Sequence, residues 1–167
     1  VENTILKRYL QPFGLLVCPL DHCTEDGTAT GGVSPLWNQL VGEGMVDYGY
    51  RKEAAEIFTR IMQAVITGLK TDHAFWSTYN AGTGRGQGER NTLNGFAPVG
   101  FLLKLLGLVQ ISPNRGIVDG LNPFSRSITV QYRGTRVDFF GDRTQVSFAN
   151  GQTMSVQGGG IHEISLP

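Results

Sequence analysis

The sequence has little cysteine, no long apolar run and no excess of either charge. Its two cysteines, Cys18 and Cys23, flank His22, which is too few ligands for a structural zinc site, so we expect ordinary thiols and no bound metal. No stretch of about 18 consecutive apolar residues occurs, so no membrane-spanning helix is expected. The 14 basic and 14 acidic residues cancel, which gives no field favouring nucleic acid or anionic lipid.

The first residues do not show the pattern of a secretory leader. No basic start is followed by an apolar stretch and a small-residue cleavage site, so no signal peptide is visible and we expect a cytoplasmic location. The 167 residues are 40% hydrophobic and 17% charged, which supplies enough apolar material for a core. The 23 glycines gather in loops, which indicates tight backbone geometry near turns or near a ligand.

Two helices are predicted in the first half of the chain. Ser34 is a good N-cap and Pro35 suits the first helical position, so a helix is expected over 36–46. Apolar residues then recur with the helical period over 52–69. The preceding residues, 1–34, are expected to be mostly irregular, as in the middle of a longer protein.

A third helix is predicted over 96–106, after a long polar loop over 72–95 that is dense in glycine. This helix is apolar almost all round, so we expect it to be buried on several sides. The chain offers it too few partners. We therefore expect missing upstream helices of the same chain, or a partner chain, to cover it.

Beyond Pro113 the pattern changes from helical to alternating. About four antiparallel strands are predicted, with Asn150-Gly151 as a hairpin turn. The predicted organisation is a helical part over 1–112, a small antiparallel β-domain over 113–157 and a tail over 158–167 that has no assigned structure.

The segment 73–91 combines aromatic residues, glycines and polar side chains. Its alternating glycines follow no predicted strand and precede no Gly-Lys-Ser/Thr, so nucleotide binding is not indicated and no cofactor is expected. Sugars need flat aromatic faces and many hydrogen-bonding groups. The candidates for sugar contact are Trp37, Asn38, Trp76, Tyr79 and Arg85.

Glu89 is the only acid in this segment. It is either a catalytic carboxylate or a surface group paired with a neighbouring arginine. Glycoside hydrolysis generally needs two carboxylates. The early acids Asp21, Glu25 and Asp26 have three possible roles: lining a cleft, binding a cation, or forming a solvated loop. Asp72-His73 indicates the end of the second helix.

Three stretches carry a resemblance to a known group of enzymes. The first is Ser34-Pro35-Leu36-Trp37-Asn38 with Gly44, Tyr48-Gly49-Tyr50 and Ala54, which resembles a "W-P-x-x-N … G-L-x-x-Y-G … A" hairpin. The second is Tyr79-Asn80-Ala81-Gly82-Thr83-Gly84, which resembles an "E-x-Y-N-P-x-T-G" loop. The third is Gly88-Glu89 with Gly95-Phe96, which resembles a "G-G-E-Y … G-F-G-W" run. Together they resemble the six-hairpin glycosidases, namely trehalase and the family 63 α-glucosidases and mannosylglycerate hydrolases.

The resemblance implies an α+β protein, with C-terminal helical hairpins of an (α/α)6 toroid followed by a small antiparallel β-sandwich-like domain. It implies the C-terminal portion of a glycoside hydrolase that acts on α-glucosides by inversion, inactive without the rest of the chain. Glu89 matches a glutamate near the reaction centre, whereas Ser77 stands where the family has its catalytic base. An upstream aspartate would be the general acid. The alternatives are a non-catalytic carbohydrate-binding or structural module, and a helical interaction module.

Overall fold

The structure is a computed structural model that describes residues 1–19 and 32–166. The chain divides into two compact units, Val1–Phe101 and Leu102–Pro167. The described residues form four α-helices and twelve strands, and the strands make four antiparallel sheets. Several residues singled out in the sequence lie outside the described ranges, namely Asp21, His22, Cys23, Glu25 and Asp26.

The unit Val1–Phe101 mixes short strands with two long helices. Its elements, in chain order, are a π-helix (Glu2–Leu6), α1 (Lys7–Tyr9), β1 (Leu10–Gln11), β2 (Gly14–Leu15), β3 (Gly32–Val33), α2 (Pro35–Asp47), α3 (Arg51–Asp72), β4 (Trp76–Asn80), β5 (Gly86–Arg90) and a 3-10 turn (Leu93–Gly95). The division between the units falls within α4 (Val99–Leu105). Strands β1 and β2 form a hairpin, and β3, β4 and β5 form a three-stranded sheet.

The two predicted long helices are confirmed. At the start of α2 the Ser34 side chain accepts a hydrogen bond from the Trp37 backbone N–H at 3.4 Å, which satisfies one of the unpaired N–H groups of the first turn. Helix α3 ends at Asp72, and the next residue, His73, has a left-handed φ of 52° that stops the helix.

The core of this unit lies between α3 and the strands. The buried side chains come from α3 and from the strand segments, and they are Leu16, Val33, Ile61, Ala64, Val65, Tyr79 and Ala81. A helix with one apolar face must bury that face against another layer. Here strands supply that layer, so α3 is covered by a sheet on the face that a toroid would cover with further helices.

The predicted toroid architecture is therefore wrong. In the part of the chain that the structure describes, α2 and α3 form the one hairpin of long helices, and the remaining elements are short helices and strands. The predicted polar loop over 72–95 is also wrong, because β4 and β5 pair there as an antiparallel hairpin. Its glycines and hydroxyl residues conceal the alternation that marks a strand.

The third predicted helix is shorter and less buried than expected. Helix α4 has seven residues, and Phe101 and Leu105 are fully buried in it. Phe96 lies before the helix and is 45% exposed, and Val99 is 59% exposed. The expected burial on several sides therefore holds for Phe101 and Leu105 but not for Phe96 and Val99. The expectation of further covering helices stays a prediction.

The unit Leu102–Pro167 is built of two antiparallel sheets. One has the order β12-β7-β6 and the other has the order β11-β10-β9-β8. The strands are β6 (Leu108–Ser112), β7 (Arg115–Asp119), β8 (Ile128–Tyr132), β9 (Thr135–Phe139), β10 (Arg143–Ser147), β11 (Thr153–Gln157) and β12 (Ile161–Ser165). The sheets share one apolar core, to which Val118 and Ile164 come from the first sheet and Val137, Phe139 and Val146 from the second.

Four of these strands, β8 to β11, are at the predicted positions, and the Asn150-Gly151 turn is confirmed by the φ of 86° at Gly151. Strands β6 and β7 are not predicted by the sequence pattern. The tail has no predicted structure either, whereas β12 in that tail pairs with β7 over five residues. A strand whose partner lies far away in the sequence gives no local turn signal, so its pairing is not visible in the pattern.

Candidate functional site

The β4–β5 hairpin holds most of the residues that the sequence singled out. Trp76 pairs with Arg90 and Tyr79 pairs with Gly86, with an irregularity in register between Trp76 and Thr78. Gly88 has a φ of 76°, a left-handed conformation that costs little without a side chain. The irregularity is typical of a β-bulge, which re-aims the side chains beside it.

The turn of this hairpin is organised by Asn80. Its side-chain Oδ1 accepts hydrogen bonds from the backbone N–H groups of Gly82 at 3.0 Å and of Thr83 at 2.9 Å. Its backbone N–H donates to the Arg85 carbonyl at 2.8 Å. Asparagine commonly folds a turn in this way. The Tyr-Asn-Ala-Gly-Thr-Gly motif is thus explained locally as turn chemistry.

A cleft of about 490 Å³ lies between the C-terminal part of α3 and this hairpin. Its lining is Thr67, Gly68, Thr71 and Asp72 from α3, and Trp76, Thr83, Gly84, Arg85 and Gly86 from the hairpin. Gly68 lets the two elements approach closely, because a Cβ there would lie 3.2 Å from the Tyr79 ring and 3.3 Å from Trp76.

Trp76 is held in position on several sides. Its indole N–H donates to Asp72 Oδ2 at 3.0 Å, and the Arg90 guanidinium lies 4.5 Å from the ring centre. A Cβ on Gly86 would come 2.0 Å from Trp76 Cδ1, so only glycine allows the strand to pass the ring at this distance. The indole therefore enters the cleft as a preorganised group.

Two charged residues of opposite sign line the same cleft. The Arg85 guanidinium makes no hydrogen bond or ion pair with any residue that the structure describes, and Arg85 is exposed. Asp72 is exposed as well and uses one carboxylate oxygen for the Trp76 indole. Donors and acceptors are thus both available to a polar ligand.

Tyr79 and Asn38 are engaged inside the fold. Tyr79 is fully buried, its hydroxyl accepts the Trp76 backbone N–H at 3.2 Å, and burial raises its pKa. Asn38 is also fully buried. Its side-chain Oδ1 accepts a hydrogen bond from the Leu15 backbone N–H at 2.7 Å, and its Nδ2 donates one to the Leu15 carbonyl at 3.0 Å. Neither side chain lines the cleft.

Glu89 and Trp37 are exposed and are not among the residues that line the cleft. Glu89 is exposed on β5, and its carboxylate makes no hydrogen bond or ion pair with a described residue. Its backbone N–H donates to the Ser77 hydroxyl at 3.0 Å, so Ser77 helps to hold the hairpin together. Trp37 is 45% exposed on α2.

The structure thus brings together two of the predicted site residues, Trp76 and Arg85. It adds Asp72, which the sequence indicates only as the end of α3. The signal for it was present: Asp72 stands four residues before Trp76, and Thr67, Gly68 and Thr71 interrupt the apolar pattern at the same end of α3.

Comparison with known protein families, with curated proteins and with solved structures finds no match for this chain. The resemblance to six-hairpin glycosidases therefore has no support beyond its motifs. None of the helices in residues 1–19 and 32–166 has the length and apolar character needed to cross a membrane. The same residues contain no cluster of three His, Cys, Asp or Glu side chains close enough to hold a metal ion.

Proposed function

We propose that the chain is a carbohydrate-binding module and that the cleft between α3 and the β4–β5 hairpin is its binding site. The observation that carries this proposal is the convergence of Trp76, Asp72 and Arg85 on one polar cleft. Its volume of about 490 Å³ lies in the range of small-molecule sites, about 300–1,000 Å³.

A sugar matches these groups chemically. Each sugar hydroxyl both donates and accepts hydrogen bonds, and the site offers a carboxylate acceptor in Asp72 and guanidinium donors in Arg85. The indole of Trp76 supplies the apolar contact that the C–H groups of a sugar ring need. The two charges cancel, which favours a neutral ligand over a strongly anionic or cationic one.

Glycoside hydrolysis with Glu89 as the base stays a prediction of the resemblance. The reaction needs a second carboxylate across the scissile bond, commonly about 5–10 Å away. Among the described residues that line the cleft, Asp72 is the one carboxylate, and Glu89 is not among them. Binding therefore follows from the geometry more directly than hydrolysis does.

The test is calorimetric titration with methyl α-glucoside and maltose, with hydrolysis followed on the same samples. Asp72→Asn keeps an acceptor for the Trp76 indole but removes the charge. We expect it to weaken binding about tenfold, since hydrogen bonds to charged groups contribute about 1.5–3 kcal/mol. The matched control is Glu89→Gln, an exposed residue outside the lining, which should leave the affinity unchanged.

The proposal would be contradicted if the wild-type chain gave no heat of binding with either sugar. If Glu89→Gln lost affinity and Asp72→Asn did not, the result would indicate that the sugar binds on the face of β5 rather than in the cleft. Turnover that Glu89→Gln abolishes would instead support the hydrolase prediction.

A further inference from the structure

The free edges of the sheets differ in how they are protected against pairing with another chain. An unprotected edge strand is a template for association, and proteins block it with charges, prolines, bulges or short length. Edge β5 carries Glu89 and Arg90, and β12 carries Glu163, which pairs with Arg115 at 2.8 Å. The β6–β7 pairing has an irregular register, and β3 has only two residues.

The edges of the four-stranded sheet have none of these devices. Strand β8 reads Ile-Thr-Val-Gln-Tyr and pairs with β9 over five residues without irregularity. It has no charged residue, no proline and no glycine, and all its residues except Gln131 are strong strand formers. No other strand in the described part of the chain pairs with its outer side.

The register shows which backbone groups point outward. Tyr132 pairs with Thr135 across a two-residue turn in which Arg133 and Gly134 have φ values of 48° and 83°. In such a turn the flanking residues are hydrogen-bonded to each other, and the bonding alternates along an antiparallel strand. Ile128, Val130 and Tyr132 therefore face β9, and Thr129 and Gln131 direct their N–H and C=O groups to the open side.

This edge is complementary to itself. If two copies of β8 meet antiparallel about Val130, Thr129 of each lies opposite Gln131 of the other, and each such pair exchanges two N–H···O bonds. Val130 then meets its counterpart, and Ile128 lies opposite Tyr132. No like charges face each other. The apolar side chains Ile128 and Val130, which contact the core but are only half-buried, gain cover.

We propose that β8 is the pairing site for a second copy of this chain, in a two-fold dimer that joins two four-stranded sheets into one of eight strands. Closed two-fold symmetry is the commonest arrangement of identical subunits. Edge β11 is also uncharged, but Met154, Ser155 and Gln157 make it a weaker strand former than β8. A single strand pair buries less than the standard interface of about 1,600 Å², so the association is expected to be weak.

The first test is hydrogen exchange of the wild-type chain at two concentrations, with sedimentation velocity on the same samples. The amides of Thr129 and Gln131 have no hydrogen-bond partner among residues 1–19 and 32–166, so in a monomer they are expected to exchange rapidly. In the dimer they are slowed at least tenfold, and more so at the higher concentration. The Ser155 amide, which points to the open side of β11, is the internal control and stays fast.

The second test uses a matched pair of edge prolines. Gln131→Pro removes an outward N–H that the monomer does not use, as an edge strand tolerates. It is expected to give a monomer with an unchanged far-ultraviolet circular dichroism spectrum. Ser155→Pro makes the same change on the other edge and leaves the dimer intact.

Three results would overturn the proposal. One is a wild-type monomer with fast exchange at Thr129 and Gln131 at the highest concentration. Another is loss of the dimer in Ser155→Pro but not in Gln131→Pro, which would assign the contact to β11. The third is a dimer that both variants retain with fast exchange at Thr129. The exchange measurement needs no substitution, so it decides the matter even where Gln131→Pro disturbs folding.

Discussion

Asn38 is a polar side chain that the fold buries completely, and it ties α2 to β2. Its three hydrogen bonds join it to Leu15 and to the Ser34 carbonyl. We expect Asn38→Ala to lower the free energy of unfolding by about 2–4 kcal/mol, because both Leu15 backbone groups lose their buried partner. Urea unfolding measures this. The control is Gln39→Ala, which removes a hydrogen bond to Glu43 on the same helix and should lower the free energy of unfolding by only a few tenths of a kcal/mol. Equal losses of stability in the two variants would contradict the role assigned to Asn38.

Asp138 carries a charge at a nearly buried position on β9. Burial by itself raises its pKa, but hydrogen bonds from Arg136 and Thr129, with the Arg136 charge, outweigh this and hold the pKa below its usual value. A lowered folded pKa stabilises the fold above the unfolded pKa, and that stabilisation is lost as the pH falls through the folded pKa.

Replacing this carboxyl should therefore change how stability depends on pH. Asp138→Asn is expected to be about 1–3 kcal/mol less stable than the wild type at neutral pH. The difference should shrink as the pH falls from about 5 to 2. Urea unfolding across this range checks it, with Asp142→Asn at an exposed turn as the control. A constant difference at every pH would show that the charge is not the cause.

Residue roles were the least predictable part of the site. Aromatic and amide groups suit sugars, which is why Trp37, Asn38 and Tyr79 are predicted to contact one. Asn38 and Tyr79 instead satisfy internal partners, and Trp37 is not part of the cleft lining. The same residue type serves either purpose. Its burial depends on contacts with segments distant in sequence, which a local pattern does not contain.

Helices were predictable because their signals are local. The cap at Ser34, the proline after it and the apolar period of α3 all lie within the elements that they specify. The β4–β5 hairpin was missed because glycines and hydroxyl residues dilute its alternation. Strand β12 was missed because its partner, β7, lies more than 40 residues away in the sequence. Strands β6 and β7 pair locally as a hairpin, but an irregularity in register between Leu108 and Gln110 disturbs their alternation.

Two glycines in α2 differ in the space available for a side chain beside them. A Cβ on Gly42 would lie 2.0 Å from Phe101 Cζ, whereas one on Gly44 would meet nothing within 4 Å. We expect Gly42→Ala to destabilise the unit by about 1–3 kcal/mol through overpacking. Gly44→Ala should stabilise it by about 0.5–1 kcal/mol through helix propensity. Thermal unfolding of both variants gives the comparison, and shifts of the same sign would contradict the packing at Phe101.

At the scale of the whole molecule, the toroid fold that the resemblance implied is wrong. The motifs around Ser34 and Tyr79 correspond to a helix start and to a hairpin turn, which many architectures use. Extending them to a ring of helices required elements that the described residues do not contain. The alternating strands of the second half, which rested on residue pattern alone, were placed correctly.

The charge balance of the whole chain predicts its solubility. With 14 basic and 14 acidic residues the formal net charge is zero at pH 7. Proteins near zero net charge associate most readily, so we expect solubility to be lowest near neutral pH and to rise below about pH 6, where added protons make the chain positive. Precipitation by ammonium sulfate across a pH series checks this, and a solubility that falls steadily on acidification would contradict it.

The hydrogen bond between the Trp76 indole and Asp72 makes this tryptophan a built-in optical sensor. A guest that competes for the carboxylate, or displaces water from the ring, must alter the emission colour or intensity of Trp76. Trp37 is the only other tryptophan and stands apart from the cleft lining, so it contributes a constant background. Occupancy can thus be followed without any attached dye.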